Sequence, residues 1–126
     1  MRLANLLIVN ALILFAFGVL MLFIPTGLMS LYSVPLGPRA VYVAQLFAAA
    51  AIGLSVLNWA ARNVTDPAAV RAITLGNLAA NGVGFAVTLL AQTEGIVGNL
   101  GWSNVALFLF FTLGFGYFYV NRPEST

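Results

Sequence analysis

The chain has 126 residues, 62% of them hydrophobic and 6% charged, with no Cys, no His and a net charge of +2. Its mean hydropathy of +1.02 excludes an ordinary soluble domain and points to a bilayer. The missing Cys and His exclude disulfides, thiolate nucleophiles and the commonest transition-metal ligand, and five scattered Arg do not supply the clustered phosphate contacts that nucleic acid requires.

Four apolar runs approach the ~20 residues that a helix needs to cross a hydrocarbon core of ~30 Å. The first covers residues 3–24. Its opening, "MRLANLLIVNALILFAFG", carries one Arg before a stretch too long for a signal-peptide core, and no A-x-A-like cleavage site follows, so it reads as a span. Asn10 is the one strongly polar side chain deep in this run and is expected to turn inward. Pro25, Gly27, Pro35, Gly37 and Pro38 then end the first run and open the second, at 38–61. There Ala44, Ala48, Ala51, Ser55 and Asn58 recur at spacings of four, three, four and three. This spacing makes one narrow seam of small and polar residues, with Gln45 at its edge. The seam is expected to face the third run.

The third run, 67–92, follows Thr65-Asp66-Pro67, which reads as an N-cap with proline at the first helical position. At 100° per residue, Thr74, Asn77, Asn81, Gly84, Thr88 and Gln92 fall within an arc of roughly 80°. Gly76, Ala80, Gly84 and Ala91 form an adjoining smooth strip, and these features predict that this helix is the most interior one. The run stops at "TEGIVGNLG", a glycine-rich turn in which Glu94 is a solvated loop residue. The fourth run, 102–120, places Phe108, Phe111, Phe115 and Phe118 at spacings of four, three and four, with Trp102, Tyr117 and Tyr119 toward its ends as interfacial anchors.

Each run must be helical, because an unpaired backbone amide in lipid costs several kcal/mol and runs of this length are too long for barrel strands. The fold expected is all-α: an antiparallel four-helix transmembrane bundle with short loops, a single domain over 1–126. The short connections, at 63–66 and 93–101, predict that consecutive helices lie side by side. Arg2, Arg62, Arg71 and Arg122 fall on one side of this arrangement and Arg39 on the other. Basic residues are retained on the cytoplasmic side, so both termini are expected there. Arg62 and Arg71 fall short of the cluster of four to eight that marks a polybasic lipid site.

The polar residues Asn10, Gln45, Ser55, Asn58, Thr74, Asn77, Asn81 and Thr88 are the candidate site. They either form interhelical hydrogen bonds that fix register or line a polar pocket or path for a small solute. The second reading would give Asn77, Asn81, Thr88 and Gln45 to the lining. No ionisable side chain lies deep in a run, which disfavours proton relays and voltage sensors. Phe108, Phe111, Phe115 and Phe118 present either ordinary packing or a face for a partner subunit, a quinone, a pigment or a lipid. No catalytic, cofactor or metal site is predicted, since no nucleophile has an evident base.

The segments "NLLIVNALILFAFG", "YVAQLFAAAAIGL", "AANGVG", "GNLGW" and "LGFGYF", spread over nearly the whole chain, resemble small four-span bacterial inner-membrane proteins of unknown function. The resemblance implies an inner-membrane location and this fold, and carries no active site with it. The function expected is a non-enzymatic membrane subunit that packs against lipids, other membrane proteins or copies of itself. The alternative is a small oligomeric channel or carrier.

Overall fold

A computed structural model describes residues 2–121. Those residues form α1 (Leu3–Phe23), α2 (Pro25–Ser30), α3 (Pro38–Ala61), α4 (Pro67–Thr93) and α5 (Gly101–Asn121), with no strand among them. All but α2 are long and apolar enough to span a membrane. The protein is therefore an all-α, multi-pass membrane protein whose four long helices form a bundle. Arg122, and Glu124 beyond it, lie outside the described residues.

Local chemistry accounts for the helix ends. Pro38 and Pro67 occupy first-turn positions where a missing N–H costs nothing. The Asp66 carboxylate accepts from the Ala69 N–H at 3.0 Å, capping α4 as the sequence predicts. Gly95 ends the same helix at φ +74°, a left-handed conformation that glycine adopts without strain. The Ile96 N–H then returns to the Ala91 carbonyl at 3.1 Å and the Gly95 N–H to that of Gln92 at 3.2 Å. The proline-rich segment after α1 was expected to be simple punctuation, yet it folds the extra helix α2. Burial of Leu28 and Tyr32 against Met21 and Ala48 holds it down. The Gly98 N–H donates to the Tyr32 carbonyl at 2.7 Å, fastening this segment to the α4–α5 loop.

The long helices pack as two close antiparallel pairs, α1 with α3 and α4 with α5. In the first pair a β-carbon placed on Gly18 would lie only 3.4 Å from the Ala48 carbonyl oxygen and 2.9 Å from Ile52 Cγ1. In the second, Gly84 leaves room for the Phe108 ring, and the Arg71 guanidinium reaches across to the Tyr119 hydroxyl at 2.8 Å. The pairs join where Leu6 seats over Gly114, in a core of Leu3, Leu6, Leu7, Phe111, Phe115 and Phe118.

Three expectations are corrected by this arrangement. The seam of Ala48, Ala51, Ser55 and Asn58 is buried as anticipated, but its main partner is α1, which Gly18 lets approach Ala48 and Ala51 closely. Consecutive helices α3 and α4 have the sparsest backbone contact of any touching pair, so the short connection between them does not set the packing. The most interior helix is α1: 33% of its most apolar window is buried, against 17% for α4. The physical cause is position, since α1 contacts α2, α3 and α5 while α4 contacts little besides α5.

Candidate functional site

Only four residues of α4 are buried, and all are polar: Thr74, Asn77, Asn81 and Gln92. The 100° periodicity of the helix puts them on one side, and that side meets Asn58 of α3, which in turn reaches Asn10 of α1. Asn58 is fully buried. Its amide nitrogen donates to Asn10 Oδ1 at 2.7 Å and to Asn77 Oδ1 at 2.8 Å. The Asn77 nitrogen returns a bond to Asn58 Oδ1 at 2.8 Å and also donates to the Ile73 carbonyl at 3.0 Å. Asn81 extends the chain by donating to the Asn77 carbonyl at 2.8 Å. Three helices are thus joined by one node of neutral amides, in the one region where α3 and α4 bond directly.

The remaining predicted polar residues do not join this node. Gln45 lies thirteen positions before Asn58 on α3, about 20 Å along the axis, and donates to the Leu22 carbonyl at 3.2 Å. The hydroxyls of Ser55, Thr74 and Thr88 donate to carbonyls of their own helices, Ile52 at 2.7 Å, Val70 at 2.7 Å and Gly84 at 2.8 Å. Such backbone acceptors three or four residues earlier need no neighbouring helix, so the hydroxyls are satisfied before any seam forms. Gln92 instead holds the turn after α4, donating to the carbonyls of Val97 and Gly98 at 3.2 and 3.1 Å.

Among the described residues, every buried side-chain nitrogen and oxygen has a hydrogen-bond partner. The node therefore works as a clasp: its fully buried polar atoms are engaged with one another or with backbone, and none of its groups is ionisable. Replacing a peripheral member should cost little. Asn81→Leu removes one donor to a carbonyl and is expected to lower unfolding free energy by about 0.6 kcal/mol, the average for such bonds in membranes. Reversible unfolding in bicelles measures this, and a loss above about 2 kcal/mol would contradict a peripheral role.

The phenylalanines predicted as a possible partner or lipid face turn inward. Phe111, Phe115 and Phe118 are buried and Phe108 is half-buried over Gly84. Their four-three-four spacing marks the inner side of α5, because Leu3, Leu6 and Leu7 of α1 cluster with Phe111, Phe115 and Phe118 there and Gly84 of α4 makes room for Phe108. Phe115→Leu is expected to destabilise the bundle by about 1 kcal/mol through lost packing. Circular dichroism melts in micelles would detect it, and an unaltered melt would place Phe115 outside the core.

Two features escaped the reading by sequence. Gly18 seats a close approach of α1 and α3; small residues at Ala4, Ala11 and Gly18, spaced by seven, were the available signal. At the arginine-rich end, the Arg62 guanidinium sits 4.1 Å from the Trp59 ring centroid and that of Arg71 sits 4.7 Å from the Tyr119 ring centroid. Spacings of three between Trp59 and Arg62 are visible in sequence, but which arginine stacks on which ring is a tertiary fact.

Comparison of the chain with protein-family models, curated proteins and solved structures finds no match.

Proposed function

We propose that this chain is a non-enzymatic membrane subunit that binds another membrane helix through the outward face of α4. The observation that carries the reading is where the small residues of α4 point. Ala72, Gly76, Ala79 and Ala80 are exposed, and a β-carbon on Gly76 would meet nothing within 4 Å. Small residues in membrane helices serve close helix packing, and these are left unused by the chain's own bundle. The window of α4 also has a mean hydropathy of 1.5 against 2.8 for α1, as suits a helix shielded from lipid on more than one side. A bacterial inner-membrane location with both termini cytoplasmic accompanies this reading, supported by Arg2, Arg62 and Arg71 at one end and Arg39 at the other.

The channel or carrier reading draws less support. Its proposed lining, Asn77, Asn81, Thr88 and Gln45, makes hydrogen bonds within the bundle, and exposed polar groups would be needed to replace a solute's water.

Native mass spectrometry on complexes extracted in lipid nanodiscs tests the proposal. The expected result is a heteromeric or homomeric assembly. Gly76→Leu with Ala80→Leu should overpack that contact by about 1–3 kcal/mol, reducing the assembled fraction about tenfold while leaving the monomer's fold intact. A solely monomeric chain would refute the subunit reading, and an assembly indifferent to both leucines would refute the assignment to α4.

A further inference from the structure

A groove of about 270 Å³ runs between α1 and α3 on the outside of the bundle. Its floor is Ala11 and Ser55, both buried; its rims are Leu12, Phe15, Val56 and Trp59, all largely exposed. The Ser55 hydroxyl is taken up by the Ile52 carbonyl, so the floor presents no free donor. The volume lies just below the ~300–1,000 Å³ typical of pockets for bulky ligands, which suits a slender aliphatic chain better than a fused ring system.

The groove is polarised along the helix axis. From Arg62, Trp59 is three residues back along α3 and Ser55 seven, which places these groove residues about 4 to 11 Å along the axis from the Arg62 backbone. That span falls within one leaflet of a ~30 Å hydrocarbon core. Arg62 stacks on the Trp59 rim and also shares a shallow depression with Leu3 and Ala4, the residues next to Arg2. Among the described residues no carboxylate forms an ion pair with Arg62, and Asp66, the acid nearest in sequence, caps α4. A cation at headgroup depth therefore stands at the mouth of an apolar channel aligned with lipid chains.

We propose that this groove is a site for an anionic phospholipid, one acyl chain lying on Ala11 and Ser55 and the phosphate meeting Arg62. The inference rests on the membrane-spanning reading of these helices and extends it to a lipid class and a position. It differs from general attraction to a negative surface: Arg71 lies at the same end but on the α4–α5 side, bridged to Tyr119 of the neighbouring helix, whereas Arg62 bonds only within α3, to the Trp59 carbonyl at the rim of the groove.

Trp59 reports directly on the site. In a Trp102→Phe background it is the one tryptophan left in the chain, and its quenching by brominated lipid gives relative binding constants in reconstituted bilayers. Brominated phosphatidylglycerol is expected to bind about fivefold more tightly than brominated phosphatidylcholine, the effect of one arginine near the surface. Arg62→Gln should bring the ratio to about one, and Arg71→Gln should leave it unchanged. Val56→Phe, at an exposed rim, should narrow the groove and reduce quenching by both lipids. A ratio of one in the parent protein would overturn the proposal, as would equal loss in the two arginine variants, which signifies bulk charge. Either outcome would leave the assembly seen by mass spectrometry untouched, so failure of the lipid site is distinguishable from failure of the subunit reading.

Discussion

Asn58→Leu is expected to be the most damaging conservative change in the bundle, lowering unfolding free energy by about 3 kcal/mol. Leucine keeps the branching of asparagine at Cγ but replaces its amide with two methyls, so every hydrogen bond of Asn58 is lost and some overpacking is added at this fully buried position. Without the Asn58 amide, the oxygens of Asn10 and Asn77 lose their donors, and the Asn77 nitrogen keeps only the Ile73 carbonyl. Each buried group left unpaired costs about 1–3 kcal/mol, and single hydrogen bonds in membranes reach about 1.7 kcal/mol. Two orphaned oxygens buried inside the bundle therefore outweigh the single donor lost in Asn81→Leu. Steric-trap unfolding in bicelles gives the number. A double variant, Asn58→Leu with Asn77→Leu, should cost less than the sum of its parts by about 1–2 kcal/mol, because each single change strands the other amide. Strict additivity would show that the two side chains do not share a bond.

Gly18→Leu should separate α1 from α3, with a cost of about 3 kcal/mol, at the upper end for overpacking. The neighbours decide the magnitude. Ile52 Cγ1 can rotate aside, but the Ala48 carbonyl belongs to backbone and the Ala51 β-carbon, 3.4 Å from the added atom, is fixed to it. Gly18→Ala, which adds only that atom, is expected to cost about 1 kcal/mol. Because the chain has no Cys, introduced thiols report cleanly on proximity. A pair at Leu22 and Gln45, whose side chain reaches the Leu22 carbonyl, should oxidise to a disulfide in the parent background and fail to do so with Gly18→Leu. Persistent crosslinking with unaltered stability would sink the claim that Gly18 sets this interface.

These two sites carry different kinds of information. The glycine seat permits approach of one helix pair and is indifferent to lipid chemistry. The asparagine node ties α4 to that pair at a single level, which explains how α3 and α4 can be joined despite sparse backbone contact. Loss of the node should therefore loosen α4–α5 from α1–α3 without dissolving either pair, whereas loss of the glycine seat opens α1–α3 itself.

The number of spans and their ends were legible from the chain alone. The predicted spans 3–24, 38–61, 67–92 and 102–120 differ from the observed long helices by no more than one residue at either end. Backbone amides cannot be left unpaired in lipid, so a long apolar run bounded by proline and glycine has one local solution, and Asp66 and Gly95 execute it with their nearest neighbours. Which faces turn inward was decided by the tertiary structure. Lipid tails are as apolar as a leucine core, so hydropathy does not distinguish the buried Phe115 from the exposed Leu113, or the buried Ala48 from the exposed Ala80. Asparagine is the exception, since its amide must find a partner away from lipid; Asn10, Asn58, Asn77 and Asn81 could be directed inward from sequence for that reason. Their actual partners, and the choice of α1 over α4 as the helix that fills the α3 seam, depend on shapes contributed by residues far apart in the chain.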